Sequence, residues 1–360
     1  MTNTLRRILA VTLAVLALTA LAAGCVVEDD GGDEQQHTPQ TMTQFTDSAG
    51  RTVELPAQIA RVSPSGVMAQ QFLLALAPDL LVSNSSEYSA NELRYLPGAV
   101  AELPVTGSFY GSGTFNPESA ANLRPDIVID VGELRDSTVE DMDGITADLV
   151  APAVFVEATL HTAPEAFRTL GRILGREERA EQLAQYCESV LELTLGLTQD
   201  KTSILFLLGD AGQNVLARGS FHSEALDAIA LNIAVVDNPS SRGTGNEANM
   251  ETIYQWDPEV IIFAPGSVFA DVAGDPVWQP LRAVSSGRYY EVPLGPYNWM
   301  GSPPSINRYL GMLWLAELLY PALTAYDIEA MVIEYYALFY HYELSAQEYA
   351  ALVANSLGKM

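Results

Sequence analysis

Asn116-Pro117-Glu118 opens a segment that runs on through Leu123-Arg124-Pro125-Asp126-Ile127-Val128-Ile129. Asn249-Met250-Glu251 opens a second that runs through Trp256-Asp257-Pro258-Glu259-Val260-Ile261-Ile262. Each reads as a short helix with a glutamate in its first turn, then a proline turn, then a buried strand of branched apolar residues. A carboxylate early in a helix is favoured by the exposed amides there, so helix electrostatics alone already accounts for Glu118 and Glu251. The unit occurs once in each half of the chain, and this duplication predicts two similar lobes.

Outward from these units the pattern is of short apolar runs alternating with helical ones. Ile59 to Val62 reads as a strand. Ser63-Pro64-Ser65-Gly66 reads as a turn leading into a helix over Val67 to Leu76. Leu80 to Val82 and Val154 to Val156 read as further strands. Such alternation implies parallel sheet and an α/β fold. From Pro164 to Leu195 only helical spacing remains: Phe167, Leu170 and Leu174, then Leu183, Cys187 and Val190, with Gly175 ending the first helix. After Lys201 the alternation resumes with Ile204 to Leu208, Ala234 to Val236 and Val260 to Phe263. The tail is helical again from Ser305 to Leu319 and from Asp327 to about Leu357.

The expected architecture is therefore α/β: two Rossmann-like lobes joined by a long helical segment, with a ligand cleft between the lobes. Residues 45–163 form the first lobe, 164–200 the joining helices, and 201–360 the second lobe with its C-terminal helices. The C-terminal helices either complete the second lobe or cross back over the first. A helical joint is stiffer than a strand hinge, so closure of the cleft is expected to be small.

The first residues differ from the rest. Arg6 and Arg7 precede an apolar run from Ile8 to Ala22, which ends in Ala22-Ala23-Gly24 before Cys25. A basic start, a short apolar core and a small-residue cleavage site make residues 1–24 a secretory signal peptide. The apolar run is short for a membrane span. Residues 25–44, with Glu28-Asp29-Asp30-Gly31-Gly32-Asp33-Glu34, have little to bury and read as a flexible acidic tether. Leu21-Ala22-Ala23-Gly24-Cys25 resembles the lipobox of bacterial lipoproteins. That resemblance implies lipid on Cys25 and anchoring to the outer face of a membrane.

Cys25 and Cys187 are the only cysteines. With Cys25 lipidated no intramolecular disulfide is possible, and stability must come from core burial. Cys187 lies on the apolar face of its helix and is expected to be a small buried hydrophobe. The charge is strongly acidic, with 45 Asp and Glu against 18 Lys and Arg. This argues against nucleic acid or an anionic lipid surface as partner.

The duplicated units, together with Arg218-Gly219-Ser220-Phe221 and Leu231-Asn232-Ile233-Ala234, resemble the helical-backbone class of periplasmic binding proteins. The resemblance covers about Phe45 to the C-terminus. It implies a non-enzymatic, extracytoplasmic solute-binding lipoprotein of an ABC importer, serving a permease dimer with its ATPase subunits. Members take up ferric siderophores, haem, cobalamin and some oxyanions. An early helical glutamate on each lobe, here Glu118 and Glu251, pairs in that family with arginines of the permease. Gly295-Pro296-Tyr297-Asn298-Trp299-Met300-Gly301-Ser302-Pro303-Pro304-Ser305-Ile306-Asn307-Arg308 resembles a branch that includes molybdate and tungstate binders.

Ligand contacts are expected from loops at strand ends. In the first lobe these are Ser65, Tyr88, Phe109, Tyr110 and Glu133; in the second they are Arg218, Arg242, Asn298 and Trp299. Arg308 is a further candidate, unless it caps the following helix or pairs structurally. Arginines suit oxygen-bearing anions, and aromatics suit a flat or organic chelate. A metal chelate of siderophore, haem or corrinoid type is favoured because most of the family binds one, with molybdate or tungstate as the alternative. No cofactor is implied.

Bare-metal capture would need converging histidines and carboxylates. His37, His161, His222 and His341 form no close pair in sequence. A cell-surface hydrolase would need a nucleophile with a base. Gly107-Ser108 and Gly219-Ser220 form no Gly-x-Ser-x-Gly, and Gly111-Ser112-Gly113 lacks phosphate-loop spacing.

Overall fold

A computed structural model describes residues 43–110, 113–240, 242–301 and 305–359. The expected signal peptide, Cys25 and most of the expected tether lie outside the described residues. Thr43 and Gln44, expected in the tether, instead belong to β1 (Thr43–Thr46), which pairs antiparallel with β2 (Thr52–Leu55). Polar Thr-Gln-Phe-Thr carries little apolar signal. Its order comes from backbone pairing and from the Asp47 carboxylate, which takes the Ala49 and Arg51 amides in the turn.

The first lobe is built on β3 (Val62–Pro64), followed by α1 (Val67–Leu76). Next come α2 (Pro117–Asn122), β4 (Ile127–Gly132), α3 (Thr138–Leu149) and β5 (Ala153–Glu157). The three strands form a parallel sheet with β4 in the middle. Leu81 adds only an isolated bridge to Val62, so the strand expected over Leu80 to Val82 does not extend.

The chain then enters α4 (Ala163–Leu174) and α5 (Glu177–Thr194), an antiparallel pair. Gly171 lets these helices approach closely, since a methyl group there would overlap the Ala180 side chain. Cys187 is wholly buried in α5, and burial pushes its thiol well above the ordinary range.

The second lobe follows with β6 (Ser203–Leu208), β7 (Asn214–Val215), α6 (Glu224–Ile229), β8 (Leu231–Asn232), β9 (Asn246–Glu247), α7 (Met250–Trp256), β10 (Val260–Phe263) and β11 (Tyr289–Glu291). Strands β10, β11 and β8 run parallel to β6 within the sheet, while β7 and β9 add an antiparallel edge. The strand expected over Ala234 to Val236 lies earlier, at Leu231–Asn232, and Val235 is exposed. Three helices close the chain: α8 (Arg308–Leu319), α9 (Ile328–Tyr340) and α10 (Ala346–Leu352).

The sequence duplication is repeated in atomic detail. Asn116 and Asn249 cap α2 and α7, accepting 2.9 Å hydrogen bonds from the Ser119 and Thr252 amides. Arg124 and Asp257, each directly before a proline, adopt positive φ and turn the chain into β4 and β10. The next acid clamps the neighbouring strand. Asp126 takes the Ala60 and Arg61 amides just before β3, and Glu259 takes the amide and hydroxyl of Ser203 at the start of β6.

The largest core cluster runs through both lobes and the joining helices. An aromatic seam carries it: Phe72 of α1 stacks on Phe167 of α4 at 4.5 Å, and Tyr335 of α9 stacks on Phe339 at 4.2 Å, beside Tyr186 of α5. Helix α9 thus crosses back onto the first lobe. Arg179 and Tyr186 of α5 hydrogen-bond to its Leu338 and Met331 carbonyls, and His341 bonds the Leu74 carbonyl of α1. Among the described residues no helix is long and apolar enough to cross a membrane.

Candidate functional site

Where β3 passes into α1, Gly66 caps the helix with extended backbone and no side-chain cap. The first intrahelical bond runs from the Gln70 amide to the Gly66 carbonyl, so the earlier amides are left for other partners. Gly66 to Ala69 form one wall of a cavity of about 1050 Å³ between the lobes. The exposed helix start gives that wall partial positive charge and hydrogen-bond donors.

The carboxyl end of β4 supplies the floor. Asp130 lines the cavity although it is only 4% exposed, and Ser65, fully buried behind it, donates its hydroxyl proton to the carboxylate. Burial pushes Asp130 up to about 6, opposed by the Ser65 bond and the nearby Arg135 charge. Glu133 and Arg135, just beyond β4, continue the wall. Arg135 lies 5.0 Å from the centre of the Tyr110 ring, and the Tyr110 hydroxyl donates to Asp141 at 2.9 Å. Burial raises the Tyr110 hydroxyl well above its ordinary value, helped by the charges of Asp130 and Asp141.

The loop over Val105 to Ser108 brings hydroxyl groups to the same wall. Gly107 turns at φ 85°, and a Cβ there would overlap the Thr114 carbonyl, so the chain can close on itself only with glycine at this point. Asn116 and Ser119, at the start of α2, also line the cavity, and Glu118, between them in sequence, is exposed.

The second lobe closes the opposite side with Phe221, His222 and the segment from Arg242 to Thr244. His222 is held by a 2.9 Å hydrogen bond between its Nδ1 and the Gly301 carbonyl. Both signs of charge and many hydroxyls therefore converge. That combination suits binding and orienting a polar solute. Among the described residues no group of three or more His, Cys, Asp and Glu side chains is placed to hold a bare metal ion.

Of the ten ligand candidates, Tyr110, Glu133 and Arg242 line the cavity. Ser65 lies directly behind the wall as the partner of Asp130. The other six are not among its lining residues. Phe109 packs edge-on against Tyr110 and Phe115. Tyr88 is tied to Gln70 and Asn84 on the flank of α1. Arg218 points along the sheet edge, where its Nε donates to the Asn232 carbonyl.

Residues 295–301 and 305–308 turn inward rather than toward the cleft. Asn298 accepts the Met300 amide at 2.8 Å, and Trp299 is wholly buried, donating its indole N–H to the Gly295 carbonyl at 3.3 Å. Its apolar surface is worth more in the core than in a polar cavity. Arg308 is buried as well. Its guanidinium pairs with Glu224 of α6, donates to the Ser305 and Ala158 carbonyls, and lies 4.7 Å from the centre of the Phe221 ring.

Sequence reasoning missed Asp130, Arg135, Phe221, His222 and the start of α1. The available signal was position: Asp130 and Arg135 follow the apolar run of β4 directly, and Gly66 follows that of β3, at the strand ends where open α/β sheets bind ligands. Glu251 stands exposed in the first turn of α7, the counterpart of Glu118 in α2.

The chain matches the family described as periplasmic binding protein over residues 94–294, more than half its length. Its structure is similar to an ABC transporter solute binding protein from Sulfurospirillum deleyianum, with TM-score 0.77 and 30% identity over 86% of this chain and 98% of that one. A periplasmic solute binding protein from Veillonella parvula aligns with TM-score 0.72 and 23% identity, covering 88% and 98%. The molybdate periplasmic binding protein MolA from Haemophilus influenzae aligns with TM-score 0.67 and 16% identity, covering 84% and 99%. The last two likenesses are of fold alone. No curated protein is significantly similar in sequence.

Proposed function

The chain belongs to the periplasmic binding protein family, and on that premise we propose that it captures a metal chelate of siderophore, haem or corrinoid type outside the cytoplasm. It then delivers the chelate to a membrane permease powered by separate ATPase subunits. The observation that carries the choice of ligand is the interlobe cavity. At about 1050 Å³ it stands at the top of the range that encloses organic ligands, roughly 300–1,000 Å³. A single tetrahedral oxyanion would leave most of that space to water.

Molybdate or tungstate is the second reading. One feature favours it: the start of α1, without a side-chain cap, beside the hydroxyls of Ser108 and Thr106. Calorimetric titration of the chain with ferric siderophores, haem, cobalamin, molybdate and tungstate decides between them. Binding of a chelate and silence of both oxyanions is the expected result, and the reverse would sink the chelate reading. Arg242→Ala should weaken an anionic chelate about two- to fivefold, the modest loss proper to an exposed charge.

Glu118 and Glu251 are proposed to dock the two lobes on the permease. Each is exposed in the first turn of a capped helix, one per lobe, and Glu118 lies in sequence between the cavity-lining Asn116 and Ser119. Reversing both to lysine should reduce transporter-coupled uptake severalfold or more while ligand affinity stays within twofold, since rim pairs act mainly on docking. Uptake equal to that of the unmodified protein would remove the docking role.

The anchor is proposed to be lipid on Cys25, which lies outside the described residues. Cys25→Ser should move the protein from the membrane fraction to the soluble one, because no described helix is able to hold it there. Retention of the variant in carbonate-washed membranes would refute lipid anchoring.

A further inference from the structure

The cavity floor holds a carboxylate in a place that costs stability. Asp130 is almost fully buried, and its described hydrogen-bonding side-chain partner is the buried Ser65. A buried charge of this kind persists at a cost unless something satisfies it. Arg135 acts on it through charge from the loop after β4; Asp141 of α3 and the Tyr110 hydroxyl face the same region. Glu133 and Glu87 add negative charge to the first-lobe wall, and Arg242 and His222 stand on the second-lobe side. The cavity is thus polarised rather than uniformly cationic. A tetrahedral dianion resting on the floor would meet the Asp130 carboxylate head on, with like charges in a poorly solvated place.

We propose that Asp130 selects the solute: it receives a hydrogen-bond donor or positive charge carried by the ligand, such as an ammonium or hydroxyl group at the edge of a metal chelate, and it excludes tetrahedral dianions from the floor. This assignment rests on the chelate reading of the same cavity and names which chelates it takes. Ser65 is the positioning residue behind it. The oxygen-bearing metal-binding part of the ligand faces Arg242 and Arg135, while its donor group points at β4.

Two probes that differ in one charge test the assignment. Ferrioxamine B is a ferric trihydroxamate with a pendant ammonium, and its N-acetylated form is the same chelate without that charge. Calorimetric titration of the full chain at pH 7.5 should find the ammonium form bound at least tenfold more tightly, with molybdate silent. Asp130→Asn, nearly isosteric, should bring the two chelates within twofold of each other while the protein remains folded by circular dichroism. In the unmodified protein the preference should fade as pH falls through about 6, because protonation there removes the negative charge. Equal affinity for the two chelates, a preference that survives Asp130→Asn, or molybdate binding tighter than either would overturn the proposal. Failure of both ferrioxamines to bind would overturn it too, whereas the wider ligand panel alone decides the chelate reading.

Discussion

Arg308→Ala is expected to lower the free energy of unfolding by about 3–5 kcal/mol, a large share of the roughly 5–15 kcal/mol that holds a domain together. Arg308 is 2% exposed, and its guanidinium gathers acceptors from three parts of the chain. Glu224 comes from α6, the Ser305 carbonyl from the turn before α8, and the Ala158 carbonyl from the end of β5, where the first lobe passes into the joining helices. Glu224 in turn takes the Leu160 amide at 3.1 Å, and Tyr309 donates to the Leu160 carbonyl at 2.7 Å. The second lobe therefore grips the exit of the first through hydrogen bonds from Arg308, Glu224 and Tyr309 to Ala158 and Leu160, with Arg308 and Glu224 paired to each other.

Burial lowers the arginine and raises the glutamate, each toward its neutral form, so desolvation outweighs their mutual attraction. Such a pair adds little over an apolar isostere, yet removing one partner strands the other. The double variant Arg308→Met with Glu224→Gln should accordingly recover most of the loss. Urea unfolding of the three proteins measures this. Equal destabilisation by the single and double variants would show that the stranded charge is not the cause. Because Phe221 lies against the guanidinium and also lines the cavity, the single variant should weaken ligand binding as well.

Trp299→Ala is expected to cost a similar amount, about 3–5 kcal/mol, while leaving ligand affinity within about twofold. The indole is wholly buried among α8 and α9, and the Tyr336 hydroxyl shares its acceptor, the Gly295 carbonyl. Gly311 of α8 passes so close that a Cβ there would overlap the Trp299 carbonyl, so the truncated site has little freedom to collapse. The cost is then a lost transfer energy plus a cavity. Thermal or urea unfolding reads the stability, and titration with whichever ligand binds the unmodified protein reads the affinity. A tenfold loss of affinity with unchanged stability would return Trp299 to the binding site.

The two residues share a lesson about legibility. In sequence, a proline- and glycine-rich loop carrying Asn298, Trp299 and Arg308 looks like a cleft loop, because such loops follow strands and carry function. Whether a loop turns outward or inward depends on what surface lies beside it. Here the aromatic seam of α9 offers that loop an apolar surface, and Glu224 offers the arginine a partner from a distant part of the chain. Neither contact leaves a periodic trace in the loop itself.

The sequence alone determined the fold class, the duplicated helix–turn–strand unit, the helical joint and the burial of Cys187. These rest on local regularities: alternation, helical spacing, capping asparagines and proline turns, each of which acts within a few residues. Helix Val67–Leu76 and strand Val260–Phe263 begin and end where their apolar runs do. Short or polar strands such as Thr43–Thr46 and Leu231–Asn232 were not legible, since their order comes from pairing with distant backbone. Only the tertiary structure decided which loops face the cleft, that α9 crosses back onto the first lobe, and that Asp130 of a buried strand opens onto the cavity floor. Those outcomes depend on packing between residues tens to hundreds of positions apart, and the free energy of a side chain there is set by its neighbours rather than by its own chemistry.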